Sequence, residues 1–231
     1  MDPVVVVVLA VVAAGVVGAC GPGAVRALPE PENPAPDKRS YAEVAALPGA
    51  LWWMVLPAAV GAGVVAWRID QPELVPAWVL ACGVGAWLSF VDWHTRYLPF
   101  LLTVPLHAGL WLLVGLAALL LQDHRVLVRA LVANLVVFAL FWLMHWLASR
   151  FFGGAFGYGD VRLAAALAVV LGPLGVGATV VGMYAGFLLG ALFGVVLAAL
   201  RIVDRTGFAF GPYLVAGAVI GAAWGPSLLS A

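Results

Sequence analysis

The sequence predicts an all-α, polytopic membrane helix bundle, and three observations carry that prediction. The chain is 65% hydrophobic and only 10% charged, with a mean hydropathy of +1.11, far from the roughly half-apolar, quarter-charged usage of soluble domains. Its charges gather into short clusters that separate apolar runs, and a helix needs roughly 20 such residues to cross a hydrocarbon core about 30 Å thick. Lys and Arg also fall unevenly on alternate clusters, as expected of a membrane protein.

Cutting at the polar clusters gives eight spans, with cores Val4 to Val25, Ala50 to Trp67, Leu74 to Phe90, Phe100 to Leu121, Val126 to Ala148, Val161 to Leu171, Val176 to Leu200 and Phe208 to Pro226. The first carries Asp2 and no basic residue ahead of it, so it reads as a retained span despite a faint lipoprotein-like ending at Val17-Gly18-Ala19-Cys20. After it, residues 26–48 are rich in Pro and charge and read as a short, irregular connector. The sixth span is short because Gly172-Pro173-Leu174-Gly175 is a strong turn signal; taking that turn as a kink gives seven spans instead. In the last two spans, Gly182, Gly186, Gly190 and Gly194, then Gly217, Gly221 and Gly225, recur every fourth residue. Such faces let helices approach closely. The whole chain, 1–231, reads as one integral membrane domain.

Orientation follows from the basic residues. With eight spans, one side holds Arg26, Lys38, Arg39, Arg96, Arg150, Arg162, Arg201 and Arg205, and the other Arg68, Arg125 and Arg129. The first side is therefore expected in the cytoplasm, with the N-terminus outside. Trp52, Trp53, Trp67, Trp93 and Trp146 fall near span ends, where amphipathic rings suit the interface. A net charge of zero gives no electrostatic case for a nucleic-acid partner. Cys20 and Cys82 form no CxxC pattern, and no His/Cys/Asp spacing suggests a metal site.

Two carboxylates stand out. Asp92 follows span three and Asp160 precedes span six, which places both at the cytoplasmic side at similar depth. Each has an ordinary structural reading: Asp160 as a helix N-cap, Asp92 as a partner of Arg96 one turn on. Together they suggest chemistry. Two like charges a few ångströms apart resist ionising together, so one holds a proton and the other does not. That yields an acid and a base able to hydrolyse an amide without metal, thiol or serine. Asp160, at a helix N-terminus, is the expected anion. Gly157 and Gly159, in "GYGD", would permit unusual φ/ψ values and close approach of a substrate backbone. His94 could tune Asp92, though a solvated ring is the simpler reading. His107 and His145 lie in different spans, and Asn134 reads as an interhelical hydrogen-bond donor.

These residues resemble the prepilin peptidases, or type IV prepilin leader peptidases, which are GxGD-type aspartic intramembrane proteases. "GYGDVRL", residues 157–163, is similar to the family's GxGD-[VI]-[KR]-L block. "DWHTRYLPFLLTVPL", residues 92–106, is similar to its aspartate, five residues, Leu-Pro and Thr-x-Pro-Leu. "RALP" at 26–29 and "FAFGPYLVAGA" at 208–218 also resemble family landmarks. The resemblance implies that Asp92 and Asp160 are catalytic, that Gly157, Gly159 and Pro99 shape the site, and that no cofactor is required. It further implies removal of a basic leader from type IV pilin-like precursors, on the cytoplasmic side of the plasma membrane, usually after a glycine. The sequence departs from the family in two places. The connector at 26–48 lacks the large cysteine-bearing region of bifunctional members, which argues against N-methylation of the product. Phe100 stands where a polar residue is common. The rival readings are a noncatalytic transporter subunit or assembly scaffold, or an inactive homologue. Against a transporter, no Asp or Glu lies within a proposed apolar core.

Overall fold

The structure is a computed structural model that describes residues 2–30, 39–151, 156–199 and 209–228. Every regular element among them is helical: α1 (Pro3–Arg26), α2 (Tyr41–Ala45), α3 (Ala50–Arg68), α4 (Val75–Thr95), α5 (Phe100–Leu121), α6 (Arg125–Phe151), α7 (Tyr158–Leu171), α8 (Val176–Ala199) and α9 (Gly211–Leu228). Six elements, namely α1, α3, α4 with the 3-10 turn before it, α5, α6 and α8, are long and apolar enough to cross a membrane. The fold is an all-α, polytopic membrane bundle. The sequence features assigned to 31–38, 152–155 and 200–208, including Lys38, Arg201 and Arg205, lie outside the described residues.

Local chemistry sets the helix limits. Asp2 accepts the Val4 N–H at 2.8 Å and Pro3 occupies the first turn of α1, a favourable N-terminal pairing. The break after α7 is real: a 3-10 turn at Gly172–Leu174 leads to Gly175 at φ 107°, a conformation that glycine adopts without a Cβ penalty. Thus α7 and α8 are separate helices. The polar cluster near Asp92 is not a break, however, because α4 continues through it to Thr95. The third span is longer than the sequence reading gave, and Asp92 lies inside it.

The bundle is organised around α7. Only 14 residues long, it covers about 21 Å, and from Val161 to Leu171 every residue but Arg162 is buried. A helix that is apolar all round belongs in the interior, and α4, α5, α6, α8 and α9 surround this one. Asn134 of α6 fixes it by donating to the Ala165 carbonyl at 2.7 Å and lying 3.0 Å from His107 Nε2 of α5. Trp111 Nε1 donates to the same His107 nitrogen at 3.2 Å. An indole N–H only donates, so that nitrogen accepts. The interhelical role expected of Asn134 is therefore realised, and it joins three helices.

The glycine faces of the last two helices meet. A Cβ added at Gly217 would lie 2.5 Å from the Gly182 carbonyl oxygen, and one at Gly221 2.5 Å from the Gly182 Cα. Only hydrogen fits there, so α8 and α9 pack backbone to backbone. On the other side of α9, α3 and α4 pack together with α1.

The described end of the connector, residues 39–48, carries regular structure that its composition did not suggest. Ser40 and Glu43 form a reciprocal capping box that starts α2, and Glu30 accepts the Tyr41 N–H at 2.8 Å. The S-x-x-E signal at 40–43 was legible, but Pro and charge on its N-terminal side masked it. Tyr41, Val44 and Ala45 then bury against Val25, Met54, Phe90 and Val91, which closes a small apolar cap over the Asp92 end of α4. Burial, then Glu30 and Tyr97, raise the Tyr41 phenol above its ordinary value.

Candidate active site

Asp92 sits in the last turn of α4 and is only 4% exposed. The helix stops four residues later, where Arg96 takes a left-handed conformation (φ 55°) and returns its N–H to the Asp92 carbonyl at 2.7 Å. Thr95, also buried, bonds the Val91 carbonyl and receives the Tyr97 N–H, tightening the turn. Next comes Leu98-Pro99. Pro99 is extended (φ −59°, ψ 130°) and opens α5, its carbonyl accepting from Thr103 at 3.0 Å. The chain therefore reverses beside Asp92, and the buried Leu98 faces inward.

Asp160 is the third residue of α7. Its N–H bonds the Gly157 carbonyl at 3.2 Å; Gly157, not Asp160, is the N-cap, so the N-cap reading does not hold, and the Asp160 carboxylate instead accepts the Gly157 backbone N–H from within the first turn. The carboxylate folds back over Gly157, where an added Cβ would lie 3.2 Å from Asp160 Oδ2. Neither motif glycine uses a left-handed backbone: Gly157 is extended at φ −74° and Gly159 is helical. Unusual φ/ψ values are thus not what these glycines supply. They supply space, because a Cβ on Gly159 would fall 2.8 Å from the Leu98 Cβ.

Leu98 joins the two halves of the site. Besides Gly159 it approaches Gly211, the first residue of α9, where an added Cβ would be 3.3 Å from Leu98 Cδ2 and 3.0 Å from Asp92 Oδ2. The Gly211 N–H donates to Asp92 Oδ2 at 2.8 Å. Asp92 and Asp160 are near enough to interact electrostatically, although 67 intervening residues separate them in sequence. The helix N-terminal advantage assigned to Asp160 alone is shared, since the α9 N-terminus points at Asp92.

A model of the type IV leader peptidase family matches residues 78–225, from α4 to α9. The chain belongs to that family. No curated protein and no solved structure matches it. The matched stretch contains both carboxylates, Leu98-Pro99, the two motif glycines and Gly211. Membership of the leader peptidase family makes this chain a peptidase, and its apolar helices make it a multi-pass membrane protein.

In this leader peptidase family member several groups besides the two carboxylates and the motif glycines pack around the candidate site. Arg162 reaches the Leu98 carbonyl at 3.5 Å and lies over the rings of Phe100 (5.2 Å) and Tyr158 (5.7 Å). Phe100, the departure noted in the sequence, thus supplies an aromatic face for a cation. His145 of α6 lies 2.7 Å from the Phe156 carbonyl through Nδ1 and meets Tyr158 edge-on. Phe156 and Phe210, one residue ahead of Gly157 and Gly211, touch each other and share a cluster with Phe141 and Phe187. Sequence reasoning assigned no role to His145 or Gly211, since neither stands in a spacing that reports a partner in another helix. His94 lies half-buried, 2.8 Å from the Phe90 carbonyl of its own helix through Nδ1 and against the Phe90 ring, so it is held by its own helix rather than freely solvated. Among the described residues no three His, Cys, Asp or Glu side chains group as metal ligands.

Proposed function

We propose that this protein is an aspartic endopeptidase of the plasma membrane that removes the basic leader from type IV pilin-like precursors. The supporting observation is that Asp92, held by the Gly211 N–H, and Asp160, whose neighbour Gly159 packs on Leu98, come near enough to interact electrostatically although they stand on α4 and α7. One carboxylate, ionised, takes a proton from water as the water oxygen attacks the scissile carbonyl carbon. The other, protonated, gives its proton to the carbonyl oxygen. When the C–N bond breaks, the first carboxyl protonates the departing amine and the second recovers a proton from a hydroxyl of the intermediate, so both regain their starting states. Cleavage takes place at the cytoplasmic face, usually after a glycine, whose lack of a side chain suits a backbone threaded between two carboxyls.

Orientation rests on the distribution of Lys and Arg. Co-expression with candidate pilin precursors, read by gel shift, tests the activity. A shortened precursor is expected with this protein and none without it. In the same cells, an impermeant cysteine label is expected to reach Gln122 from outside and Arg96 only after the membrane is opened. An unshifted precursor contradicts the activity, and Arg96 labelled in intact cells contradicts the orientation.

A further inference from the structure

Between Val161 and Leu171 only Arg162 is not fully buried, yet it is no free surface charge. Its Nε is enclosed and has no hydrogen-bond partner among the described residues. The guanidinium instead bridges two parts of the chain: Nη2 lies 3.5 Å from the Leu98 carbonyl, and Cζ lies 5.2 Å from the ring centre of Phe100 and 5.7 Å from that of Tyr158. The contact to the carbonyl is long for a hydrogen bond; both rings are within the roughly 6 Å over which a ring face holds a cation. Helix geometry explains the placement. Residues three and four apart share a helix face, so Arg162 stands on the face of Gly159 and Tyr158, whereas Asp160, two positions back at about 100° per residue, leaves the helix on the other side. Leu98 is thus met twice by one face of α7. Gly159 has no side chain to obstruct its Cβ, and Arg162 approaches its carbonyl.

Resting on the peptidase reading above, we propose that Arg162 is a positioning residue for the reaction, a strap that ties the Leu98-Pro99-Phe100 turn to the start of α7 and so fixes the two carboxyls relative to one another. The turn leaves α4 directly after the Arg96 N–H closes on the Asp92 carbonyl, and α7 carries Asp160 in its first turn. Moving the turn along α7 therefore moves one carboxyl past the other. The bare Gly159 sets how closely the turn approaches. Arg162, about 4.5 Å farther along the helix, sets its height and tilt by engaging Leu98 and Phe100 together. A guanidinium suits this task, because its flat face lies on a ring while its edge still presents N–H groups, and a point-like ammonium does not do both.

The test uses the full-length protein in lipid vesicles with a pilin-like precursor. Arg162→Gln is expected to lower kcat about 10²-fold, as for a misplacement of about 1 Å, while KM stays within about twofold. Arg162→Lys, which keeps a cation over the rings but not the planar edge, is expected to recover about tenfold of that loss. Phe100→Leu is expected to lower kcat about tenfold, and the double variant to be no slower than Arg162→Gln alone, because residues sharing one contact couple. Arg68→Gln is the matched control. Arg68 also joins a carbonyl, that of Ala223 at 2.8 Å, to a ring, that of Trp224 at 5.8 Å, but Ala223 lies about 18 Å along α9 from Gly211, and wild-type kcat is expected. Wild-type kcat in Arg162→Gln, a loss confined to KM, an equal loss in Arg68→Gln, or independent, multiplying losses from Arg162→Gln and Phe100→Leu would overturn the strap while the wild-type protein still cleaves. If Arg162→Gln does not elute as a folded protein, Phe100→Leu decides: a fall in kcat at unchanged KM supports the strap and unchanged kcat overturns it. Failure of the wild-type protein to cleave would overturn the peptidase reading and the strap with it.

Discussion

Asp92→Asn and Asp160→Asn are each expected to abolish precursor cleavage while leaving the protein folded in the membrane. Removing a general acid or base costs roughly 10² to 10⁴-fold, and here each carboxyl is asked to act twice per turnover. Asn is nearly isosteric with Asp, and at position 92 its carbonyl oxygen can still accept the Gly211 N–H that bonds the native side chain at 2.8 Å. The loss should therefore be chemical rather than structural. Measuring cleavage beside the detergent-solubilised elution profile and helical circular dichroism separates the two. Near wild-type cleavage by either variant would exclude that carboxyl from the reaction.

Gly159→Ala is expected to lose activity by a different route. The added methyl would lie 2.8 Å from the Leu98 Cβ, closer than carbon atoms pack, so Leu98 or the start of α7 must move. Leu98 also approaches Gly211 beside Asp92, and displacement there shifts the carboxyls relative to one another. A misplacement of about 1 Å can cost roughly 10²-fold in rate, so kcat should fall by about that factor. Leu98→Ala retains the offending Cβ and should not rescue it, whereas Leu98→Gly should recover part of the loss. Full activity in Gly159→Ala would mean that the Leu98 wedge does not set the site.

The fold was legible where helix ends carry their own chemistry. The reading of α5 as 100–121 matched because Pro99 starts it and Gln122, at φ 53°, stops it. The end of α4 was misplaced because hydropathy follows side-chain polarity, while the helical backbone continues through Asp92 to a left-handed Arg96. The two aspartates were visible as paired carboxylates at one depth, a pattern that survives in one dimension. Their support was not. Gly211 acts on Asp92 through a backbone N–H from 119 residues away, and a backbone donor leaves no mark in sequence. Leu98 and Gly159 likewise fit each other through a missing side chain, a relationship that appears only when α7 is placed against the turn after α4.

The central claim, a two-carboxylate peptidase built into a membrane bundle, is tested most directly by mass spectrometry of a pilin-like precursor incubated with the purified wild-type protein and a metal chelator. The account predicts one cut, immediately ahead of the precursor's apolar helix, with a free α-amine at the new N-terminus, and a rate unaffected by the chelator. An intact precursor, or cleavage that stops when the chelator is added, would contradict it.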